Sequence, residues 1–320
     1  MGETFPARRH AVGGLPETRR WTRQRPVLPS AETGEARAGA LSGRGVAGKF
    51  HFISGLPRSG STLLAALLRQ NPRFQAGMTS PVGSLFTGML NQLGAGSEFG
   101  PVVDRDTRRR LLRGLFDSYY AGTIDREVVF DTNRLWSARL PALLDLFPDT
   151  RLIACVRNVA WVMDSLERLY RANPYEQTKL FADDSERNTV YSRVDTLAQR
   201  NRLVGFAWTA LKEAYYGEQA SSILVVDYDL LARAPERVMR LVYEFIGEPW
   251  FEHDFEHVSY DAPAFDEPLG ISGLHRVRER VAIEPRRTVL PPDLFEQYGK
   301  LSFWQDGQGS AANVIRNKTD

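Results

Sequence analysis

Eight consecutive residues, Gly55-Leu56-Pro57-Arg58-Ser59-Gly60-Ser61-Thr62, carry the densest chemistry of this chain. An apolar strand-like run, residues 50–54, enters them, and an apolar helix-like run, residues 63–68, leaves them. Gly55 and Gly60 let the backbone turn tightly and approach a ligand closely. The amides from Ser59 to Leu63 would then converge at a helix N-terminus, where unpaired N–H groups favour phosphate. The spacing follows the phosphate-loop form G-x-x-x-x-G-K-[ST], with Ser61 where a lysine would reach a γ-phosphate. Without that lysine the loop suits ATP hydrolysis poorly. It suits a nucleotide whose 5′ end is shorter and carries a different transferable group.

The run Pro57-Arg58-Ser59-Gly60-Ser61-Thr62-Leu63 resembles the 5′-phosphosulfate-binding loop of sulfotransferases that use 3′-phosphoadenosine 5′-phosphosulfate (PAPS). It is most similar to the tyrosylprotein and bacterial branches, where the loop has arginine instead of lysine. A second segment carries the resemblance further. RLIACVRNVAWVMDSLERL, residues 151–169, reads as a buried strand, then Arg157, then a helix bearing Ser165. In that family an arginine ending a strand and a serine eight residues later grip the 3′-phosphate, and Arg157 and Ser165 have that separation. Arginine supplies the planar donor fork that phosphate binding favours.

The resemblance covers roughly residues 49–305 and implies an α/β fold. Its parts would be a central parallel sheet, helices on both faces and a P-loop-like nucleotide site. It also implies transfer of a sulfuryl group from PAPS to a hydroxyl or amine acceptor on a small molecule, glycan, lipid or peptide, with no metal required. Arg58, Ser59, Gly60, Ser61 and Thr62 would hold the 5′ end, and Arg157 and Ser165 the 3′-phosphate. Tyr228 falls where tyrosylprotein sulfotransferases place a cofactor-contacting tyrosine, although a tyrosine at a strand end equally serves core packing. Arg276 and Arg278 lie in GISGLHRVRERV, matching the late basic loop that closes over the nucleotide in this family, or else they are surface charge.

Catalysis would need charge stabilisation and a proton acceptor. Arg58 fits the first role, facing the phosphate oxygens as negative charge develops. Cytosolic relatives place a histidine near the end of the strand matching residues 127–131, where this chain reads Phe130-Asp131-Thr132-Asn133-Arg134. Tyrosylprotein relatives place a glutamate shortly after the first helix, where it reads Gly77-Met78-Thr79-Ser80. Asp131, at a strand end, is therefore the candidate base; its rival role is an ion pair with Arg134 or Arg58. Two other classes stay open. Val225-Val226-Asp227 imitates the strand and aspartate that hold magnesium in P-loop kinases and NTPases, and a non-catalytic nucleotide-binding relative would need no base at all.

The elements that must position these groups alternate strand and helix, which argues for one α/β unit with a parallel sheet. Residues 127–131 and 223–227 read as strands, and 106–120 and 135–147 as amphipathic helices, with Arg108-Arg109-Arg110 on a solvated face. The mixed segment 172–192 reads as a lid or binding loop. Trp136, Trp161, Tyr170, Phe181, Tyr191 and Trp208 are candidates for pocket walls or core. A hydrophobic content of 42% supports a substantial core. The net charge of +2 conceals an arginine-rich segment, residues 1–48, with eight arginines against four glutamates. Rich also in Gly, Pro and Ala, it predicts a disordered tail ahead of a sulfotransferase domain, 49–305, and a polar C-terminal tail, 306–320. Such an arm can bind acidic partners, but little aromatic interleaving supports nucleic-acid binding.

Cys155, the one cysteine, sits in an apolar run and reads as a buried, inert thiol. His253 and His257 lie four apart without the pattern or the third ligand of a metal site. No apolar run is long enough to span a membrane, and the expected compartment is a reducing cytoplasm.

Overall fold

The computed structural model describes residues 48–123, 126–173, 175, 178–258, 281–282 and 286–316. The tail, apart from Gly48, and Arg276 and Arg278 lie outside the described residues. Six strands form one parallel sheet: β1 (Lys49–Gly55), β2 (Phe74–Thr79), β3 (Val128–Thr132), β4 (Leu152–Val156), β5 (Ile223–Asp227) and β6 (Asn313–Val314). Their spatial order is β2-β3-β1-β4-β5-β6. The chain leaves β1 toward one edge, returns through β3, then builds outward on the other side from β4. That reversal makes the carboxyl ends of β1 and β4 a topological switch point, where open α/β sheets bind ligands.

The strands are apolar almost throughout because both faces are covered. Phe50, Phe52, Val129, Leu152, Ala154 and Val225 enter one core, shared with α2 (Val82–Leu93), α3 (Arg105–Tyr119), α4 (Trp136–Leu146) and α5 (Val159–Ala172). Alternate residues, Ile53, Phe130, Ile153, Cys155 and Val226, enter the other, under α1 (Ser61–Leu68) and a later helix, residues 235–246. Period-two alternation across a doubly covered sheet produces this division. The aromatics expected as pocket walls divide likewise: Trp136 and Phe181 are buried in the first core, whereas Tyr191 is 46% exposed.

Segment 172–192 is not one irregular loop. Its described part contains α6 (Asp184–Arg187) and the start of α7 (Val190–Ala198). The C-terminal segment expected as a polar tail also differs, for β6 pairs with β5 there and Ile315 is buried beside it. Only one or two apolar side chains hold this edge, too few to show as a pattern in the sequence.

Candidate active site

Gly55 ends β1 at φ 111°, and a Cβ there would lie 2.0 Å from the Cys155 carbonyl oxygen. Only glycine lets β1 press against β4 at this point, where the Leu56 amide donates to that same carbonyl at 2.9 Å. The loop then holds Arg58 in the left-handed region, φ 58°, the only non-glycine with positive φ among the described residues. Such a conformation costs about 1–2 kcal/mol and is found where function fixes the backbone. Gly60 follows at φ 87° and caps α1 with no side-chain hydrogen bond. The first-turn amides of α1 are thus without a side-chain cap, in the arrangement that receives an anion.

Four separate elements meet at this loop. Arg58 Nε donates to Ser165 Oγ on α5 at 3.1 Å. That hydroxyl, having accepted from Arg58, keeps its own proton to donate. Beyond α8 (Leu203–Tyr216), Tyr228 opens α9 (Tyr228–Arg233) and lays its ring against Gly60, where a Cβ would fall 2.7 Å from Cδ2. The same ring carries the Arg157 guanidinium 4.4 Å from its centroid. Arg157 Nε is buried without a hydrogen bond; Asp229 Oδ1, at 3.5 Å, is an ion-pair neighbour only. A buried donor left without a hydrogen bond near an uncapped helix N-terminus is what an incoming phosphate oxygen would satisfy. Arg58, Ser59, Gly60, Ser61, Thr62, Arg157, Ser165 and Tyr228 therefore belong to one neighbourhood.

Asp131 stands apart from the base expected of it. It has no exposed surface, and its Oδ2 accepts from Ser80 Oγ at 2.5 Å and Tyr120 Oη at 2.6 Å, while Oδ1 accepts from Trp136 Nε1 at 2.7 Å. Burial raises its pKa, against the pull of those three donors. Its hydrogen bonds come from neither Arg58 nor Arg134, so the expected ion pair is not the arrangement found. Ser80 and Asp131, which the resemblance sets at the two places expected for a base, here bond to each other.

Of two further arginines, Arg134 enters the sequence reading only as a possible partner of Asp131, and Arg286 does not enter it. Arg134 follows β3, its carbonyl accepting from Ser54 Oγ at 3.1 Å on the neighbouring strand. Its guanidinium has no hydrogen bond or ion pair among the described residues, and burial alone lowers its pKa. Arg286 packs over Trp161, 5.5 Å from the ring centroid, within electrostatic reach of Arg157 and Tyr228. Its basic character is plain in the sequence, but its distance along the chain from Arg157 hides the meeting.

Other candidates have ordinary duties. Asp227 caps α9, accepting from the Asp229 and Leu230 amides at 2.8 and 3.4 Å. His253 is buried among aromatic rings and lies 3.1 Å from Tyr243 Oη, while His257 pairs with Asp254. Burial pushes the Cys155 thiol up to about 12. Among the described residues no three His, Cys, Asp or Glu side chains form a group able to hold a metal, and no helix is long and apolar enough to cross a membrane.

Residues 51–252 match the model of the sulfotransferase family, and the chain belongs to that family. It is a transferase of sulfuryl groups. The match does not separate the tyrosylprotein branch from others. No curated protein sequence matches the chain. In structure it is similar to a sulfotransferase domain from the curacin biosynthetic pathway, at TM-score 0.50 and 17% identity, over 81% of this chain and 97% of that one. Sulfotransferase STF9 from Mycobacterium avium aligns at TM-score 0.45 and 17% identity, covering 84% of this chain and 79% of its own. Mouse sulfotransferase SULT7A1 complexed with PAP aligns at 0.45 and 15%, covering 79% and 82%.

Proposed function

We propose that the sulfuryl donor is PAPS and that the acceptor presents a hydroxyl or amine at the carboxyl end of β3 and β1. The observation that carries this reading is Arg157 Nε, buried without a hydrogen bond, its guanidinium over the Tyr228 ring that packs on Gly60 at the uncapped start of α1. When bound, the donor supplies an activated sulfuryl group on its 5′-phosphate. The amides of 59–63, with Ser61 and Thr62, orient that 5′ end. Arg58 holds the negative charge that grows on the phosphate side, and its tie to Ser165 sets the guanidinium in place beforehand. Arg157 and the free proton of Ser165 take the 3′-phosphate, with the Tyr228 ring packed against the Arg157 guanidinium.

Arg134, whose guanidinium has no hydrogen bond or ion pair among the described residues, follows β3 and is available to the sulfuryl oxygens. Asp131 braces Ser80, Tyr120 and Trp136 around that same strand end. Transfer proceeds without a metal, because the loop has lost the lysine that works with a metal on a γ-phosphate. The protein acts in the cytoplasm.

The test is transfer from PAPS to a panel of hydroxyl and amine acceptors in excess EDTA, read as release of adenosine 3′,5′-bisphosphate. Release in EDTA supports the reading. Activity abolished by EDTA and restored by magnesium, or hydrolysis of ATP, would contradict it. Arg134→Ala should lower turnover by roughly 10- to 1000-fold with bisphosphate affinity retained, since the bisphosphate has no sulfuryl oxygens.

A further inference from the structure

α5 carries a carboxylate that the donor site does not use directly. Asp164, one residue before Ser165, has no exposed surface. Its Oδ1 accepts from the Val289 amide at 2.7 Å and from Thr288 Oγ1 at 3.1 Å. Its Oδ2 accepts from Arg168 Nε at 3.0 Å and lies 2.8 Å from a terminal nitrogen of Arg286. Arg168 also donates to the Arg287 carbonyl, and Arg171 donates to that of Val289 at 3.2 Å. Three residues of α5 thus pin segment 286–289, which arrives from 124 residues downstream.

A buried carboxylate persists only when it is paired and hydrogen-bonded, and Asp164 is both. Asp164 faces Arg168 and Arg286, while Arg157 at the same end pairs with Asp229 and lies within electrostatic reach of Asp227. Burial makes the charged form of Arg286 harder to hold. Asp164 opposes that effect, and Arg157 and Arg168 reinforce it. Held this way over Trp161, Arg286 is kept near Arg157 despite their repulsion, a pair of guanidiniums that a dianion would bring into balance.

Resting on the PAPS reading above, we propose that Asp164 is a positioning residue that holds Arg286 as a further arm for the donor's 3′-phosphate. Asp164 touches no ligand itself. It sets the guanidinium through segment 286–289 before the nucleotide arrives, so the arm need not be ordered on binding. The consequence is selective: recognition of the 3′-phosphate depends on Asp164, and recognition of the 5′ end does not.

Calorimetric titration of the full chain with adenosine 3′,5′-bisphosphate and with adenosine 5′-monophosphate tests this. Arg286→Ala should weaken the bisphosphate by about 10-fold or more and leave the monophosphate within about twofold. Arg286→Lys should recover part of the loss. Asp164→Asn, which keeps the outline and removes the charge, should reproduce the selective loss. Thr288→Val, which cuts one tie and leaves Asp164 charged, should give a smaller one even where Asp164→Asn fails to fold. Wild-type preference for the bisphosphate retained in Arg286→Ala would overturn the inference alone. Equal weakening of both nucleotides in Asp164→Asn and Thr288→Val, with a lower melting temperature, would overturn it in favour of a structural tie. A wild type that does not prefer the bisphosphate would overturn the donor reading first.

Discussion

Replacing Asp131 by asparagine keeps the side-chain outline but turns one acceptor oxygen into an NH2 group. Ser80, Tyr120 and Trp136 all donate to this carboxylate, so a donor would meet a donor at one end. The change also relieves the burial of a charge, which offsets part of the loss. The expected result is a fall of about 1–3 kcal/mol in stability, or roughly 2–10 °C in melting temperature, together with reduced turnover. Single-turnover transfer beside a thermal melt reads both. An unchanged melt with turnover lowered by roughly 10²- to 10⁴-fold would contradict the brace and return Asp131 to the role of base, its proton then arriving through Ser80 or Tyr120. At this scale the sequence displayed the identity of Asp131 and its place at a strand end. Its partners come from three different elements, so whether it faced an acceptor or the interior was not legible.

The loop-helix elements were the most legible part of the chain, because their chemistry is local. Gly55 and Gly60 mark positions that only glycine fills, and Arg157 and Ser165 share one strand-helix turn. β2 was not legible: Phe74–Thr79 buries only two of its six residues at an edge of the sheet, leaving little hydrophobic signal. Segment 286–289 and Arg286 were not legible either, since the tie to Asp164 spans 124 residues of chain. A paired substitution tests how the loop works. In Gly60→Ala a methyl group would meet Tyr228 and force a left-handed alanine. Both the melting temperature and bisphosphate affinity should fall. Gly88→Ala, on the exposed face of α2 with open space around it, should instead raise stability by about 0.5–1 kcal/mol and leave binding alone. Equal melts for the two variants would contradict the assigned strain.

Across the whole molecule, two buried histidines set the response to acid. Burial lowers His51 to about 3 and His253 to about 4, from an ordinary value of 6.5. Their folded values lie below the unfolded one, so this stabilisation is complete above pH 6.5 and is lost as pH falls toward the folded values. Each contributes up to about 1.4 kcal/mol per pH unit across that window. Asp131 and Asp227, raised by burial, act in the opposite sense near the bottom of it. Melting temperature should therefore fall between about pH 6.5 and 4.5, and more gently in His253→Gln. An identical slope in wild type and variant would contradict the assignment.

The fold and the family fix sulfuryl transfer, and the central claim beyond them is that the crevice between β1 and β4 was shaped for a nucleotide with a 3′-phosphate. Calorimetric titration of wild type and Arg157→Ala with adenosine 3′,5′-bisphosphate, and of wild type with ATP, tests that most directly. The account predicts tight binding of the bisphosphate, roughly 10- to 100-fold weaker binding in Arg157→Ala, and poor competition by ATP. Equal bisphosphate affinity in wild type and Arg157→Ala, or ATP bound as tightly as the bisphosphate, would contradict it.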